Sequence, residues 1–120
     1  MTTILIIDDD PGIQEVLKII FERAGYRVTV KSNANGMFDD AYLLPDIFLL
    51  DRYLSGMDGL DVCRHLKASA YSSHIPVIMI SATPDFAPLA ISAGADDFIE
   101  KPFNIKDLIN IVEKHTVRQM

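Results

Sequence analysis

Residues 4–11 read Ile4-Leu5-Ile6-Ile7-Asp8-Asp9-Asp10-Pro11, an unbroken apolar run that stops at three consecutive carboxylates. A continuous run of branched aliphatic side chains suits a parallel strand covered by helices on both faces. Three adjacent negative charges repel, so they need either a solvated turn or a ligand that neutralises them. Asp10 has a local use: it precedes Pro11, and aspartate followed by proline suits an N-cap and the first position of a helix. Carboxylates near a helix N-terminus are favourable in general, but capping accounts for Asp8 and Asp9 poorly. A cation between them accounts for both.

The pattern continues along the chain. Val28–Val30, Ile47–Leu50, Val77–Ile80 and Phe98–Ile99 are further short runs, mostly β-branched, aliphatic or aromatic. Between them lie segments of helical period. Ile13, Val16, Leu17, Ile20, Phe21 and Ala24 form a stripe at spacings of three and four, which Gly25 can end. Asp58 to Ser69 reads as a helix burying Leu60, Cys63 and Leu66, with Asp58-Gly59 as ordinary cap chemistry. Asn104 can cap a last helix with Ile105, Leu108, Ile109 and Val112 inward. Residues 34–43 and 84–93 are weaker helices, the second expected to be short or irregular because it holds Pro84 and Pro88. Alternation of this kind predicts a doubly wound α/β fold: a five-stranded parallel sheet in the flavodoxin-like order 2-1-3-4-5 with helices on both faces. The pattern runs through residues 1–120 and predicts one domain.

Composition narrows the function. At 120 residues with 49% hydrophobic and 23% charged residues, the chain can build a globular core. A net charge of −6 gains nothing from counterion release, so this domain is not expected to bind nucleic acid. A single cysteine, Cys63, allows no internal disulfide and suits a reducing compartment. The N-terminus carries no basic leader and no stretch approaches a membrane span, so the expected location is cytoplasmic.

In open parallel sheets, sites form beyond the carboxyl ends of the strands. The first strand ends in Asp8 and Asp9, the third in Asp51, the fourth in Ser81, and the fifth leads into Lys101-Pro102. This topology brings three carboxylates, a hydroxyl and an ammonium to one rim. Hard oxygen donors in that number suit Mg²⁺, with a phosphate beside it, and without the ion one of the three carboxylates should have a raised pKa. His65, His74 and His115 lack metal-like spacing and read as surface residues, and Cys63 reads as core.

Taken together, "ILIIDDDP", "PDIFLLDRYLSGMDGLDV", "IPVIMISA" and "AGADDFIEKPF" resemble the receiver domain of two-component response regulators, the single-domain chemotaxis type in particular. The likeness covers essentially the whole chain, in order. It implies that Asp51 is the phosphoacceptor, taking a phosphoryl group from a histidine kinase or histidine phosphotransfer protein. It implies that Asp8, Asp9, Asp51 and the backbone carbonyl of Tyr53 hold Mg²⁺, and that Lys101 pairs with the phosphoryl oxygens. Ser81 would swing to the phosphoryl group and Phe98 turn inward behind it, while the Lys101–Pro102 bond is expected to be cis. Such a protein is no enzyme beyond Mg-dependent self-phosphorylation and autodephosphorylation. Its signal passes to a downstream protein target or to an output domain outside this chain; a phosphorylation-dependent homodimer is left open.

The match has departures. Ser55 stands where the family usually has proline, the switch hydroxyl is serine rather than threonine, and bulky Tyr53 lies two residues after Asp51, where it is expected to shield the acyl phosphate from water. The segment between Ser81 and Gly94 is short for the family, which puts in doubt any partner inferred by analogy. Two other readings compete. A phosphohydrolase using an aspartate nucleophile would want a second carboxylate at position 53 and a capping domain. A receiver-like interaction module that no longer takes phosphate would not need Asp8, Asp9, Asp51, Ser81 and Lys101 intact. A flavin-binding domain of this topology would want a Ser/Thr/Gly-rich phosphate loop after strand one.

Overall fold

A computed structural model describes residues 1–116 of the chain. Its elements are β1 (Thr3–Ile7), α1 (Pro11–Arg23), β2 (Arg27–Lys31), β3 (Ile47–Asp51), β4 (Tyr53–Leu54), β5 (Met57–Asp58), α2 (Gly59–Ala68), β6 (Val77–Ser81), α3 (Phe86–Ser92), β7 (Asp97–Glu100) and α4 (Ile105–Thr116). Five strands form one parallel sheet in the order β2-β1-β3-β6-β7; β4 and β5 form a separate two-stranded antiparallel hairpin. Counting only the strands of the main sheet, this is the expected order 2-1-3-4-5. β3 and β6 are buried at every position, as their continuous apolar sequence requires of strands covered on both faces.

The sheet divides the core in two. One layer packs Leu17, Phe21, Leu108 and Val112 of α1 and α4 against Ile4, Ile6, Leu49 and Ile80. The other packs Leu60, Cys63 and Leu66 of α2 and Phe86 and Ala90 of α3 against Leu5, Ile7, Leu50 and Met79. The caps follow the sequence. Asp10 Oδ1 accepts from the Gly12 and Ile13 amides at 2.8 and 3.3 Å, Asp58 accepts from Leu60 N, and Asn104 accepts from Asp107 N at 2.7 Å. Gly25 follows α1 with φ +99°, a conformation open to glycine at little cost.

Four expectations are corrected. Residues 34–43 form turns, not a helix. Asn33 accepts from the Asn35 amide, Gly36 and Asp40 take positive φ, and Ala41 N bonds back to Gly36 O. Asparagine, aspartate and glycine favour such local bonds over a helical ladder. The segment still anchors itself: Ala34 and Met37 are buried, and Asp40 accepts from Ser69 Oγ and meets His65 Nε2 on α2. The inward stripes of α1 and α4 are narrower than their periodicity suggests, because Val16, Ala24 and Ile105 lie exposed along grooves beside the two helices. His115 is not a surface residue. It is 6% exposed, on the inner side of α4, and its Nε2 lies 3.0 Å from Asp97 Oδ2. His65 is half-buried against Asp40, leaving His74 as the exposed histidine of the three. α3 is short, as expected, with Pro88 near its start where a missing amide costs no helical bond.

Candidate functional site

Strand register builds the site. Ile7 pairs with Leu50, so the next residues, Asp8 and Asp51, come to lie side by side at the strand ends. Asp51 pairs with Ile80, which puts Ser81 one step further along the neighbouring strand, and Ser81 pairs with Glu100, which puts Lys101 one step beyond that. Asp8, Asp9 and Asp51 each offer a carboxylate oxygen, and these atoms all lie within 4.8 Å of one another. Lys101 Nζ lies 3.3 Å from Asp51 Oδ1 and 3.8 Å from Asp8 Oδ2. The Lys101–Pro102 peptide is cis.

The electrostatics are those of a crowded anionic pocket. Asp51 is buried, and burial together with the nearby Asp8 charge pushes its carboxyl up to about 6, against the pull of Lys101. Asp8 is also raised, chiefly by burial, although the Asp10 amide donates to its Oδ1 at 2.9 Å. Its Oδ2 is buried with no hydrogen-bond partner among the described residues. A buried carboxylate oxygen without a donor is costly. Three hard oxygen donors facing one another, beside a buried Asp8 oxygen that Lys101 approaches only to 3.8 Å, fit a divalent cation such as Mg²⁺.

Not every expected residue turns toward the carboxylates. Ser81 is buried, and its hydroxyl lies 2.9 Å from Thr83 Oγ1 and accepts from the Thr83 amide. Thr83 Oγ1 in turn donates to the Tyr53 hydroxyl at 3.1 Å. A chain of three hydroxyls therefore runs from the end of β6 to the mouth of the site. The Tyr53 ring is 55% exposed there, with the Arg52 guanidinium 4.9 Å from its centroid. Phe98 is half-buried, edge-on to Phe86 at 6.1 Å.

Sequence reasoning missed four contributors. Thr83 carried no signal. Ser55, noticed only as a departure, donates its hydroxyl to Asp9 Oδ2 at 2.8 Å. Gln14 of α1 donates to the Asp8 carbonyl oxygen and to Ser32 Oγ. Gly59, read as cap chemistry, lies directly against the backbone of Asp51 and Arg52, and its amide donates to the Arg52 carbonyl.

Comparison with known proteins agrees with this geometry. The sequence model described as "Response regulator receiver domain" matches residues 4–113. The DNA-binding response regulator MtrA of Mycolicibacterium smegmatis is 38% identical over 109 residues, 88% of this chain and 46% of that protein. The dual master transcriptional regulator RpaA of Synechocystis is 36% identical over 91% of this chain and 46% of its own length. The chain thus spans about half the length of these relatives. Among solved structures, the receiver domain of Francisella response regulator 1452 superposes with a TM-score of 0.89 at 27% identity, covering 100% of both chains. The receiver domain of a Pseudomonas aeruginosa sensor histidine kinase, which holds a magnesium ion in its active-site cleft, gives 0.85 at 26% identity over 96% of this chain and 97% of its own. A strand order, a rim of carboxylates and a family match over nearly the whole length agree, and the chain belongs to the response regulator receiver domains of two-component signalling.

Proposed function

We propose that this domain accepts a phosphoryl group on Asp51 from a phosphohistidine of a histidine kinase or phosphotransfer protein, and that the modified domain signals by changing conformation. The observation that carries the proposal is the convergence of Asp8, Asp9, Asp51 and Lys101 at one rim. Asp8, Asp9, Asp51 and the Tyr53 carbonyl would hold Mg²⁺. When bound, the ion supplies positive charge that offsets carboxylate repulsion and shields the transferring group. The chain's own residues do the rest. An Asp51 carboxylate oxygen attacks phosphorus, the histidine nitrogen leaves with the bonding pair, and an acyl phosphate forms. Lys101, already paired with Asp51, stays beside the new anion and neutralises part of it. Ser81 must release Thr83 before its hydroxyl can reach the phosphoryl oxygens, so the hydroxyl chain holds the unmodified state. Phe98, half-buried and edge-on to Phe86, would turn inward behind Ser81. Typical couplings of about 1–3 kcal/mol suffice for such a switch.

The relatives matched over half their length are DNA-binding regulators. By that analogy the output lies in a partner or in sequence outside this chain, while this acidic domain does not touch nucleic acid itself. Among the described residues no helix is long and apolar enough to cross a membrane, which supports a cytoplasmic placing. The test is incubation with Mg²⁺ and a small acyl-phosphate donor followed by intact mass measurement. One labile phosphoryl adduct is expected in the wild type and none in Asp51→Asn; an adduct that persists in the variant sinks the proposal.

Tyr53 offers a second measurement. Its exposed ring is tied by Thr83 and stacked by Arg52 two residues after Asp51, a placing from which it would obstruct water on its way to an acyl phosphate. Tyr53→Ala is expected to hydrolyse the phosphorylated domain several-fold faster, and an unchanged rate defeats the shielding role.

A further inference from the structure

Asp9 differs from its two companions. Asp8 and Asp51 are buried and held by the sheet, whereas Asp9 lies past the strand end and is only half-buried. Its side chain would be free to rotate into solvent. Among the described residues, Ser55 is its hydrogen-bond donor, at 2.8 Å from Oδ2.

Ser55 does not float. It begins the two-residue turn of the β4–β5 hairpin, between Leu54, which is buried, and Gly56, which supplies the positive φ of 75° that the turn requires. The hairpin is fixed at its far end by Gly59, whose amide bonds the Arg52 carbonyl, and on its outer edge by the Tyr53–Thr83 hydrogen bond. A braced hairpin therefore presents one hydroxyl across the rim, 46 residues away in sequence, to the one loosely held carboxylate of the cluster.

We propose that Ser55 is a positioning residue for the cation: by occupying one oxygen of Asp9 it fixes that carboxylate toward Asp8 and Asp51 and raises affinity for divalent metal. Donors that orient metal-binding side chains typically change metal affinity by roughly ten- to a hundredfold. Because Ser55 is exposed and its partner half-exposed, the effect here belongs at or below the low end of that range. A proline at this position has no such donor, so a chain carrying it would orient this carboxylate by other means.

The inference rests on the proposal that Asp8, Asp9 and Asp51 bind Mg²⁺, and direct binding measurements separate the two. Mg²⁺ affinity is measured by calorimetry, and Mn²⁺ affinity by electron paramagnetic resonance of the free ion, on the wild type, Ser55→Ala and Ser55→Thr. The expected result is binding by the wild type, an affinity about three- to tenfold weaker in Ser55→Ala, and recovery to within twofold of wild type in Ser55→Thr, which keeps the hydroxyl. Thermal midpoints without metal should differ little among the three, since Ser55 is exposed and so is its bond to Asp9. If the wild type binds neither metal, the proposed metal site itself fails. If it binds and Ser55→Ala binds less than threefold more weakly, or more tightly, the hydroxyl is a bystander or a competitor and the positioning role is overturned. Failure of Ser55→Thr to recover affinity also overturns it, because the loss would then come from the turn rather than from the hydroxyl.

Discussion

Asp51→Asn is expected to raise the thermal midpoint of the metal-free protein near neutral pH by roughly 5–10 °C. The Asp51 carboxyl sits at about 6 in the folded chain, against 3.8 ordinarily, because it is buried and faces Asp8. At the rate of about 1.4 kcal/mol per pH unit, that shift corresponds to nearly 3 kcal/mol of destabilisation once the group is ionised. That figure is already net of the Lys101 pairing; relaxation and water around the partly open rim reduce it, leaving a gain of about 2 kcal/mol for the neutral isostere. The pH dependence follows from the direction of the shift. The folded chain holds this proton more tightly than the unfolded chain, so the favourable contribution is complete below about 3.8 and disappears as pH rises through about 6. Asp8 is raised too and acts in the same sense, whereas Asp97 is lowered and acts in the opposite one. The difference between wild type and variant isolates Asp51: large near neutral pH, vanishing on acidification below the ordinary carboxylate pKa. Midpoints measured in chelator at the two pH values check it, and a gap independent of pH would show that charge is not the cause. Saturating Mg²⁺ should narrow the gap by stabilising the wild type, by about 2.7 kcal/mol at a hundredfold excess over Kd.

The second large effect is at Gly59. A Cβ there would fall inside contact distance of the Asp51 carbonyl oxygen and 2.9 Å from Arg52 Cα and O. These neighbours are backbone, so no side-chain rotation relieves the overlap. Gly59→Ala is expected to destabilise the domain by about 3 kcal/mol, the upper part of the range for overpacking, outweighing the modest helical preference of alanine. Gly12→Ala is the matched control, since its Cβ would meet only the Asp10 side chain at 3.3 Å. Urea titrations of the two variants make the comparison. Equal midpoints would mean that the strand–hairpin junction relaxes freely. The same substitution should weaken metal binding, because the residue that must shift is Asp51 itself.

The positions of Asp8, Asp51 and Ser81 were legible because they close continuous apolar strands, and that of Lys101 because it follows the short Phe98–Ile99 run; parallel register turns strand ends into a shared rim. Asp10 was separable from its neighbours by the proline after it. What escaped was short-range and irregular. Residues 34–43 carry enough apolar side chains to suggest a helix, yet Asn33 and Gly36 make local bonds, and Asp40 takes a positive φ, that periodicity does not weigh. His115 was misread because its partner, Asp97, lies 18 residues away on the edge strand. Ser55 and Tyr53 were individually visible and Thr83 was not, and the bonds of all three depend on a hairpin of four paired residues that no pattern of alternation could register.

The chain has no tryptophan and four tyrosines. Only Tyr53 stands at the mouth of the pocket, with a guanidinium over its ring. Tyr53→Trp would therefore install a single dominant fluorophore close to the phosphoacceptor, which excitation at the red edge of indole absorption separates from the three remaining tyrosines. Its emission colour would follow metal loading, and its decay back to baseline would time the loss of the phosphoryl group in the same cuvette.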